Sequence, residues 1–468
     1  MKKICLLLLL ASFFSTGRAN NIALANVALN GQNTVSQYSL INFDVSWENS
    51  WRTITNETNY DGAWIFAKFR KKSSSLWQHA TISSLNSTTP STSVLQVSLD
   101  GKGAWIYQAL PASDFTGNVN YTGAKLRWNY GADGVLNTDS VEIRVFALEM
   151  VYVPQGAFKL GSGGTETNHF IDGGSNNPFN VIAENTAITV ANTTGNLYYS
   201  NNGNGGDQGG PIPAVFPKGF NAFWLMKYEA SQQQYGDFLN NLDFARAANR
   251  NGGTYTGAHP NFIAPFPERA INSLSINDQL AFADWAGMRP FTELEYEKAC
   301  RGFNQTPIPN EFPWGNTTIT PTTGVTNQGL ANETANNGNA NYSNAYPLPT
   351  RTGIYATATS TRQSSGGTYY GIMDMGGNIW ETCISIGSGG TTGGRAFTNV
   401  NGDGTLDLNG DANVSTWPTA VGGYARRGGN WIEAAQQLNI SDRNYGINPN
   451  LLATRIAFVG IRLARTAE

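Results

Sequence analysis

The first third of the chain alternates hydrophobic and polar positions with a period of two. The segment INFDVSW carries its hydrophobic residues on one face, at Ile41, Phe43, Val45 and Trp47, and VEIRVFALEM at residues 141–150 repeats the pattern. Shorter segments of the same kind lie between them, separated by turns of Gly, Asn, Ser and Pro. The pattern predicts an antiparallel, all-β, immunoglobulin-like sandwich over residues 20–149.

From Met150 onward the pattern changes to a few helices in long polar loops. In RPFTELEYEKACRG, Thr292 and Glu295 have the spacing of a capping box, and Gly302 is a stop signal. Two further helices are predicted in SINDQLAFADWAG and EASQQQYGDFLNN. Residues 150–468 are therefore predicted to form a second, α+β domain with sparse secondary structure.

The N-terminus has the pattern of a secretory signal peptide. Lys2 and Lys3 precede an apolar run that ends at Phe14, and small residues follow at Gly17 and Ala19. The run is too short to cross a bilayer, and no later segment is long and apolar enough to do so. We expect residues 1–19 to be removed and the mature chain to be secreted, at the cell surface or on the periplasmic side of a membrane.

Composition excludes two classes of partner. The formal net charge is −3, only 13% of residues are charged, and neither sign clusters along the chain. Without a basic stripe or a cationic amphipathic helix, neither nucleic acid nor a membrane surface is an expected partner.

Removal of the signal would leave two cysteines, Cys300 and Cys383. An even number in an oxidising compartment allows one disulfide, and two separate buried thiols are the alternative.

The stretch YGIMDMGGNIWETC, residues 370–383, combines hard oxygen donors with glycines. Asp374, Asn378 and Glu381 are spaced four and three residues apart. The glycines allow a left-handed backbone that brings carbonyl groups close to those side chains. On spacing alone, a calcium site competes with a glycine-rich turn whose side chains cap backbone amides.

The motifs of the second half, taken together and in order, resemble the sulfatase-modifying-factor family, to which the formylglycine-generating enzyme belongs. The segments are MVYVPQGAFKLGS, FWLMKYEASQQQYGDFLN, MRPFTELEYEKACRG, FPWGN, YGIMDMGGNIWET, RRGGNW and GIRLAR, between Met150 and Arg465. The resemblance implies a C-type-lectin-like α+β fold. It also favours a Cys300–Cys383 disulfide, because the family staples its loops.

The resemblance further implies that the glycine-rich stretch wraps a structural calcium ion. Its ligands would be Asp374, Asn378 and Glu381, with carbonyls from Gly376 and Ile379, a set that suits Ca²⁺ better than zinc or copper. A second family calcium site maps weakly to NGNANYS, where only Asn341 offers a donor.

The catalytic residues of the resembled oxidases are replaced in this chain. Those enzymes hold Cu(I) with two cysteines in a GGSYMCHRSYC-like segment. This chain reads GGNWIEAAQQL, which places Glu433 and Leu438 at the cysteine positions. A carboxylate is a hard ligand and leucine is no ligand, so copper is not expected. Iron is not expected either, because the chain has no histidines paired at helical spacing.

The stretch NVNGDGTLDLNGD, residues 399–411, is similar to an EF-hand calcium loop. Gly410 stands where the usual bidentate Glu would be. An Asn/Gly loop inserted in the family fold is the preferred interpretation.

These patterns favour a secreted, non-catalytic binding or surface-assembly protein with structural calcium. The expected partner is an extracellular protein, peptide or glycan, held in a cleft at Asn430, Trp431, Glu433 and Arg443. Each of these four residues has buried packing as its alternative. The competing function is a metal-dependent oxidoreductase of the same family, with Glu433 in a divergent metal centre or Cys383 as a reactive thiol.

Overall fold

The computed structural model describes residues 21–199, 210–387, 392–447 and 450–468. The predicted signal segment, residues 1–19, lies outside these ranges.

The first half is built from nine strands in the described range. They are β1 (Ala23–Asn33), β2 (Tyr38–Arg52), β3 (Asp61–Lys71), β4 (Gln78–His79), β5 (Ile82–Thr88), β6 (Ser93–Val97), β7 (Ala104–Gln108), β8 (Phe115–Trp128) and β9 (Val141–Val153).

The second half has short strands and four helices in the parts described. The strands are β10 (Phe158–Leu160), β11 (Ile171–Asp172), β12 (Phe179–Val181), β13 (Leu197–Tyr198), β14 (Phe223–Met226), β15 (Val325–Thr326), β16 (Thr334–Ala335), β17 (Glu381–Ile384), β18 (Tyr424–Arg427) and β19 (Ala464–Thr466). The helices are α1 (Gln232–Leu239), α2 (Phe244–Arg250), α3 (Ile276–Trp285) and α4 (Glu293–Arg301), with 3-10 turns at Val421–Gly423 and Ala435–Leu438.

Two sheets enclose the core of the first half. One has the order β1-β2-β8-β5, and the other has the order β19-β14-β9-β3-β7-β6. Alternate residues of β2, such as Phe43 and Trp47, are buried against alternate residues of β3, such as Ile65 and Phe69. The period-two pattern thus marks the inward face of each strand. The immunoglobulin-like topology stays a prediction.

One strand links the two halves. β9 pairs with β3 from Val141 to Val151, and its last residues pair with β14 of the second half. β14 pairs in turn with β19 at the end of the chain. The predicted division at 149/150 therefore falls inside a continuous strand, and the second sheet is shared by both halves.

The second half covers the outer face of this shared sheet. The ring of Trp105 on β7 stacks on Trp224 of β14, with centroids 4.1 Å apart. The Trp64 Nε1–H donates to the carbonyl oxygen of Ala286 at 2.8 Å. β3 is buried over nine consecutive residues for this reason, since hydrophobic clusters lie on both of its faces.

The three predicted helices are present, and the capping box predicted at Thr292 is formed. Ser231, Ser275 and Thr292 each form a capping box, at the starts of α1, α3 and α4. α2 was not predicted from the sequence. Asp243 caps it, but only Ala247 and Arg250 among its residues are buried, so its hydrophobic periodicity is weak. A mostly β chain with few helices is compatible with the predicted lectin-like class.

Candidate functional site

The two positions aligned with the family's cysteines have different surroundings. Leu438 is fully buried, in a cluster with Phe312 and Trp314. It packs on the turn at Gly429, where an added Cβ would lie 2.5 Å from the leucine Cδ1. Glu433 is half-buried, and its backbone oxygen accepts from the Ser343 N–H at 2.7 Å. Neither position offers a sulfur ligand.

Asn430 and Trp431 are more deeply buried than was expected of residues that line a binding cleft. Asn430 is fully buried and its Oδ1 accepts from the Ile432 N–H at 2.8 Å. Its Nδ2 has no hydrogen-bond partner among the described residues. The Trp431 side chain is 7% exposed and packs edge-on against Phe458.

Arg443 is a buried packing residue, so its prediction as a cleft residue is wrong. Its Nε and Nη2 donate to the two carboxylate oxygens of Glu293, at 2.7 and 2.9 Å. The guanidinium also lies 4.2 Å from the ring centroid of Phe170 and 4.5 Å from that of Tyr199. The residue is 0% exposed and holds α4 against the loops, out of reach of a ligand.

A group of hydrogen-bond donors on the two-stranded sheet β17–β18 lies near Glu433, whose charge acts on Arg426. Thr382 and Arg426 are directly opposite each other in the ladder, and Trp380 shares their face by strand periodicity. Trp380 Nε1, Thr382 Oγ1 and Arg426 Nε have no hydrogen-bond partner in the described parts of the chain. Burial lowers the pKa of Arg426 to about 10, although the charges of Tyr445 and Glu433 oppose the shift.

Sequence reasoning missed this donor group. Trp380 and Thr382 were seen only as part of a calcium motif, and Arg426 belongs to a different segment, RRGGNW. The alternation of IWETCI was the available signal, because it predicts a strand with residues 380 and 382 on one face. Its partner strand could not be identified from one sequence.

The glycine-rich stretch adopts the predicted left-handed backbone at two of its glycines, Gly371 and Gly377. Asp374 and Asn378 have φ values of 58° and 63°. The Asp374 Oδ2 accepts from the Gly353 N–H at 2.6 Å. The Asn378 Oδ1 accepts from both the N–H and the hydroxyl of Thr350, and its Nδ2 donates to Glu229 at 2.5 Å. Both lone pairs of the Asn378 oxygen are thus in use within the protein.

Buried negative charge collects behind this stretch. Glu229, Asp374 and Glu381 are all buried, and burial raises the pKa of each carboxyl group. Arg462 donates to one oxygen of Glu381 at 3.1 Å, and the other oxygen has no hydrogen-bond partner among the described residues. An added Cβ at Gly428 would lie 2.4 Å from that oxygen, so only glycine fits beside it.

These observations fit a hard cation at Asp374 and Glu381 but not at Asn378. Carboxylates with uncompensated charge are suitable calcium ligands, whereas the Asn378 oxygen is already saturated. Asn341 packs on the same stretch, because its backbone oxygen accepts from the Asn378 N–H at 2.9 Å, and its buried Oδ1 has no partner in the described ranges. Gly376 is buried beside Pro313 and Trp314, whose side chains an added Cβ would approach.

In the part of the chain that the structure describes, no three or more His, Cys, Asp or Glu side chains are grouped in a way that could hold a metal ion. A calcium ion here would therefore need backbone carbonyls as well as the two carboxylates.

Cys300 and Cys383 are free thiols, so the predicted disulfide is wrong. Both are fully buried in one hydrophobic cluster, which lies between α4 and β17. The Cys383 thiol donates to the carbonyl oxygen of Ala425 at 3.8 Å. Burial raises the pKa of both thiols, so neither is a reactive thiolate. The even number of cysteines could not distinguish a disulfide from two separate buried thiols.

In the EF-hand-like loop, the carboxylates of Asp403 and Asp407 accept hydrogen bonds from the loop's own backbone. The Asp403 Oδ1 accepts from the Thr405 N–H at 2.8 Å, and the Asp407 Oδ1 accepts from the Asn409 and Asp411 N–H groups at 2.8 Å. These are Asx turns, which agree with the interpretation as an inserted loop.

No helix in the described ranges is long and apolar enough to cross a membrane.

Comparison with known proteins agrees with the sequence motifs. The family described as "Sulfatase-modifying factor enzyme 1-like domain" matches residues 138–467. A formylglycine-generating enzyme of Bos taurus is 27% identical over 129 residues, covering 20% of this chain and 34% of the relative. One of Thermomonospora curvata is 30% identical over 122 residues, covering 26% and 35%. The matched region spans about a third of the length of these curated relatives. The family match covers most of the chain, which therefore belongs to the sulfatase-modifying factor enzyme 1-like family.

Proposed function

We propose that this chain is a secreted, non-catalytic binding or surface-assembly protein built on the scaffold of its family. The observation that carries the proposal is the pair of residues at the cysteine positions. Leu438 is a core residue with no donor atom, and Glu433 is a hard ligand. The copper-thiolate chemistry of a formylglycine-generating enzyme needs two sulfur ligands at these positions.

The remaining cysteines do not replace the missing pair. Cys300 and Cys383 lie in the core behind α4 and β17, and both are 0% exposed. Burial keeps them as thiols, which bind soft metals poorly. This supports a scaffold that has kept its fold without the family's oxidation chemistry.

The proposed binding surface is the part of the cleft around Glu433 and Trp431. The donor group at Trp380, Thr382 and Arg426 is buried beside it, with the three residues 1%, 6% and 4% exposed. Unpartnered buried donors are costly, and a carbonyl or carboxylate group of an extracellular protein, peptide or glycan would satisfy them if it displaced the side chains that cover them. Arg443, which was predicted to line the cleft, is fully buried and is not part of this surface.

Calcium is proposed as a structural ion at the glycine-rich stretch. Asp374 and Glu381 would hold it, and its positive charge would offset the buried carboxylates that Arg462 compensates only in part. The proposal also includes secretion through residues 1–19 and an immunoglobulin-like fold for residues 20–149. The hydrophobic core between the two sheets supports the immunoglobulin-like fold.

An activity assay tests the central claim. The mature chain would be incubated with Cu(I), O₂ and a cysteine-containing sulfatase peptide, with a formylglycine-generating enzyme as positive control. We expect mass spectrometry to show no conversion of the peptide thiol to an aldehyde. Conversion above that of a heat-inactivated sample would contradict the proposal. The Glu433→Gln variant would then show whether the carboxylate is a metal ligand.

A further inference from the structure

The shared sheet has an open edge along half of β9. On one side β9 pairs with β3 over Val141–Val151 without a register shift. On the other side it pairs with β14 only over Met150–Val153. Beyond that point β14 ends and the chain turns away into α1. The edge from residue 141 to residue 148 therefore has no hydrogen-bonded partner strand in the described parts of the chain.

The backbone groups that face this edge can be identified from the ladder. The Tyr152 N–H donates to the Tyr60 oxygen in the direction of β3, whereas the Glu149 oxygen accepts from the Lys227 N–H on the opposite side. In an antiparallel ladder these directions alternate. The N–H and C=O groups of Ile143, Val145 and Ala147 thus point to the open edge, and within the described residues none of them has a hydrogen-bond partner.

A groove follows this edge. It consists of two adjoining cavities of about 310 and 630 Å³, which share Leu24, Val145, Phe146 and Asp237. β1 forms one wall, and α1 with the loop at residues 260–263 forms the other. We call this feature the β9 groove.

The lining of the β9 groove is apolar at the base and polar at the rim. Phe146, Phe282 and Trp285 lie at the base, and Gln233 and Asp237 lie on the α1 rim. Two hydrophobic side chains are left exposed beside it, Val27 at 38% and Ile263 at 62%.

The edge strand β1, which faces the groove from the other sheet, is protected against pairing. The register of β1 against β2 shifts twice, between Ala25 and Ala28 and between Asn30 and Asn33. Such bulges are a common way to prevent an edge strand from pairing. β9 has no such irregularity over residues 141–151, and its sequence VEIRVFAL favours a strand.

We propose that the β9 groove binds an extended segment of a partner protein as an added strand. The segment would hydrogen-bond to the outward groups of Ile143, Val145 and Ala147, and its alternate apolar side chains would contact the base of the groove. At about 3.3 Å per residue, the open edge has room for roughly six to eight residues.

A second copy of the chain does not fit this surface. The edge of β9 is recessed between β1 and α1, so the same edge on another molecule cannot approach it. The exposed edge of β1 is interrupted by its bulges. An extended, otherwise unstructured segment has neither restriction. This surface is separate from the cleft at Glu433, and the inference does not depend on the cleft.

The test begins with a phage-displayed library of ten-residue peptides, selected on the mature chain. Selection is repeated on the Val145→Pro variant, which lacks the outward N–H of residue 145 but keeps every bond to β3. Val145→Ala is the matched control, because it keeps the N–H. We expect selected peptides to bind Val145→Pro at least tenfold more weakly than wild type, and Val145→Ala within about threefold.

A second measurement does not depend on the folding of a variant. One selected peptide is N-methylated at each position in turn. Strand addition predicts that binding is lost at every second position and retained between them. In the same complex, hydrogen exchange should slow at Ile143, Val145 and Ala147, whereas the amides of Arg144 and Phe146 are already protected in the free protein.

Several results would overturn the inference. One is a selection that yields no peptide able to distinguish Val145→Pro from Val145→Ala. Another is an N-methyl scan without a period of two. A third is protection of the three outward amides that appears with rising protein concentration together with a doubled mass, since the occupant would then be a second copy.

Discussion

At the scale of single residues, the buried thiols give a direct test of the core. Cys300 and Cys383 are fully buried, and burial raises their pKa. We expect a thiol reagent to modify neither in the native mature chain at pH 8, and both after denaturation without a reductant. A denatured, unreduced chain with no reactive thiols would show that the disulfide forms after all.

The carboxylates of the glycine-rich stretch predict a response to calcium. Asp374→Asn keeps an acceptor for the Gly353 N–H but removes the charge that a cation would contact. We expect added Ca²⁺ to raise the melting temperature of wild type and EDTA to reverse the change, with little response in the variant.

Asp403→Asn in the EF-hand-like loop is the matched control for this experiment. It should respond to calcium as wild type does, because its carboxylate serves an Asx turn. If Asp403→Asn alone lost the response, the ion would belong to the inserted loop.

At the scale of single residues, the sequence identified which side chains could bind an ion, but it did not predict which residues surround each side chain. Asp374 and Glu381 could be singled out because their spacing with glycine is informative. The burial of Arg443 could not, because its partner Glu293 is 150 positions away in the chain. One sequence contains no signal for such a pair.

At the scale of elements, the cap of α4 can be tested by a conservative pair of substitutions. The Thr292 Oγ1 accepts from the Glu295 N–H at 3.1 Å and donates to the Pro217 oxygen at 3.1 Å. Thr292→Ala removes both bonds and should lower the free energy of unfolding by about 1–2 kcal/mol. Thr292→Ser keeps both, so urea denaturation should place it near wild type. Equal losses in the two variants would point to the methyl group instead.

Helices with capping boxes were predictable because the signal is local. The four residues from Thr292 to Glu295 were enough to locate the start of α4. Its burial was not predictable, since all nine of its residues are buried, including Glu293 and Glu297. These charges are tolerated because arginines from distant segments pair with them, as Arg427 does with Glu297 at 2.7 Å. The pairing of β17 with β18 was missed for the same reason, because the two strands are about 40 residues apart.

At the scale of the whole molecule, a buried charge group connects the two halves. Lys227, next to β14, contacts Asp61 on β3 at 2.9 Å and Glu149 on β9 at 3.1 Å. Two carboxylates thus share one ammonium group. Burial raises the pKa of Glu149 to about 7, although Lys227 opposes the shift.

This group predicts how stability depends on pH. The pKa of Glu149 is higher in the folded state than the usual 4.5 of a glutamate side chain, so the folded state binds the proton more tightly. The contribution of Glu149 to the free energy of unfolding is complete below pH 4.5. It is lost as the pH rises through about 7, a loss on the order of 3 kcal/mol. Glu149→Gln should remove this part of the decline, measured by urea denaturation between pH 5 and pH 8.

Glu142→Gln on the same strand is the control. Glu142 pairs with Arg70 at the surface and is 41% exposed, so its removal should leave the pH dependence unchanged. A Glu149→Gln variant with the full wild-type decline would assign the effect to other groups.

The covering of the shared sheet by the second half has a consequence for biosynthesis. Trp105 needs Trp224 to cover it, and the Trp64 indole needs Ala286, yet β9 is complete at residue 153. At about 5–20 residues per second, the ribosome needs roughly 7–27 s to travel from residue 153 to residue 286. During this interval the nascent chain presents an uncovered aromatic face. We therefore expect chains arrested before residue 224 to be retained by chaperones that recognise hydrophobic surface, and chains released after residue 286 to escape them.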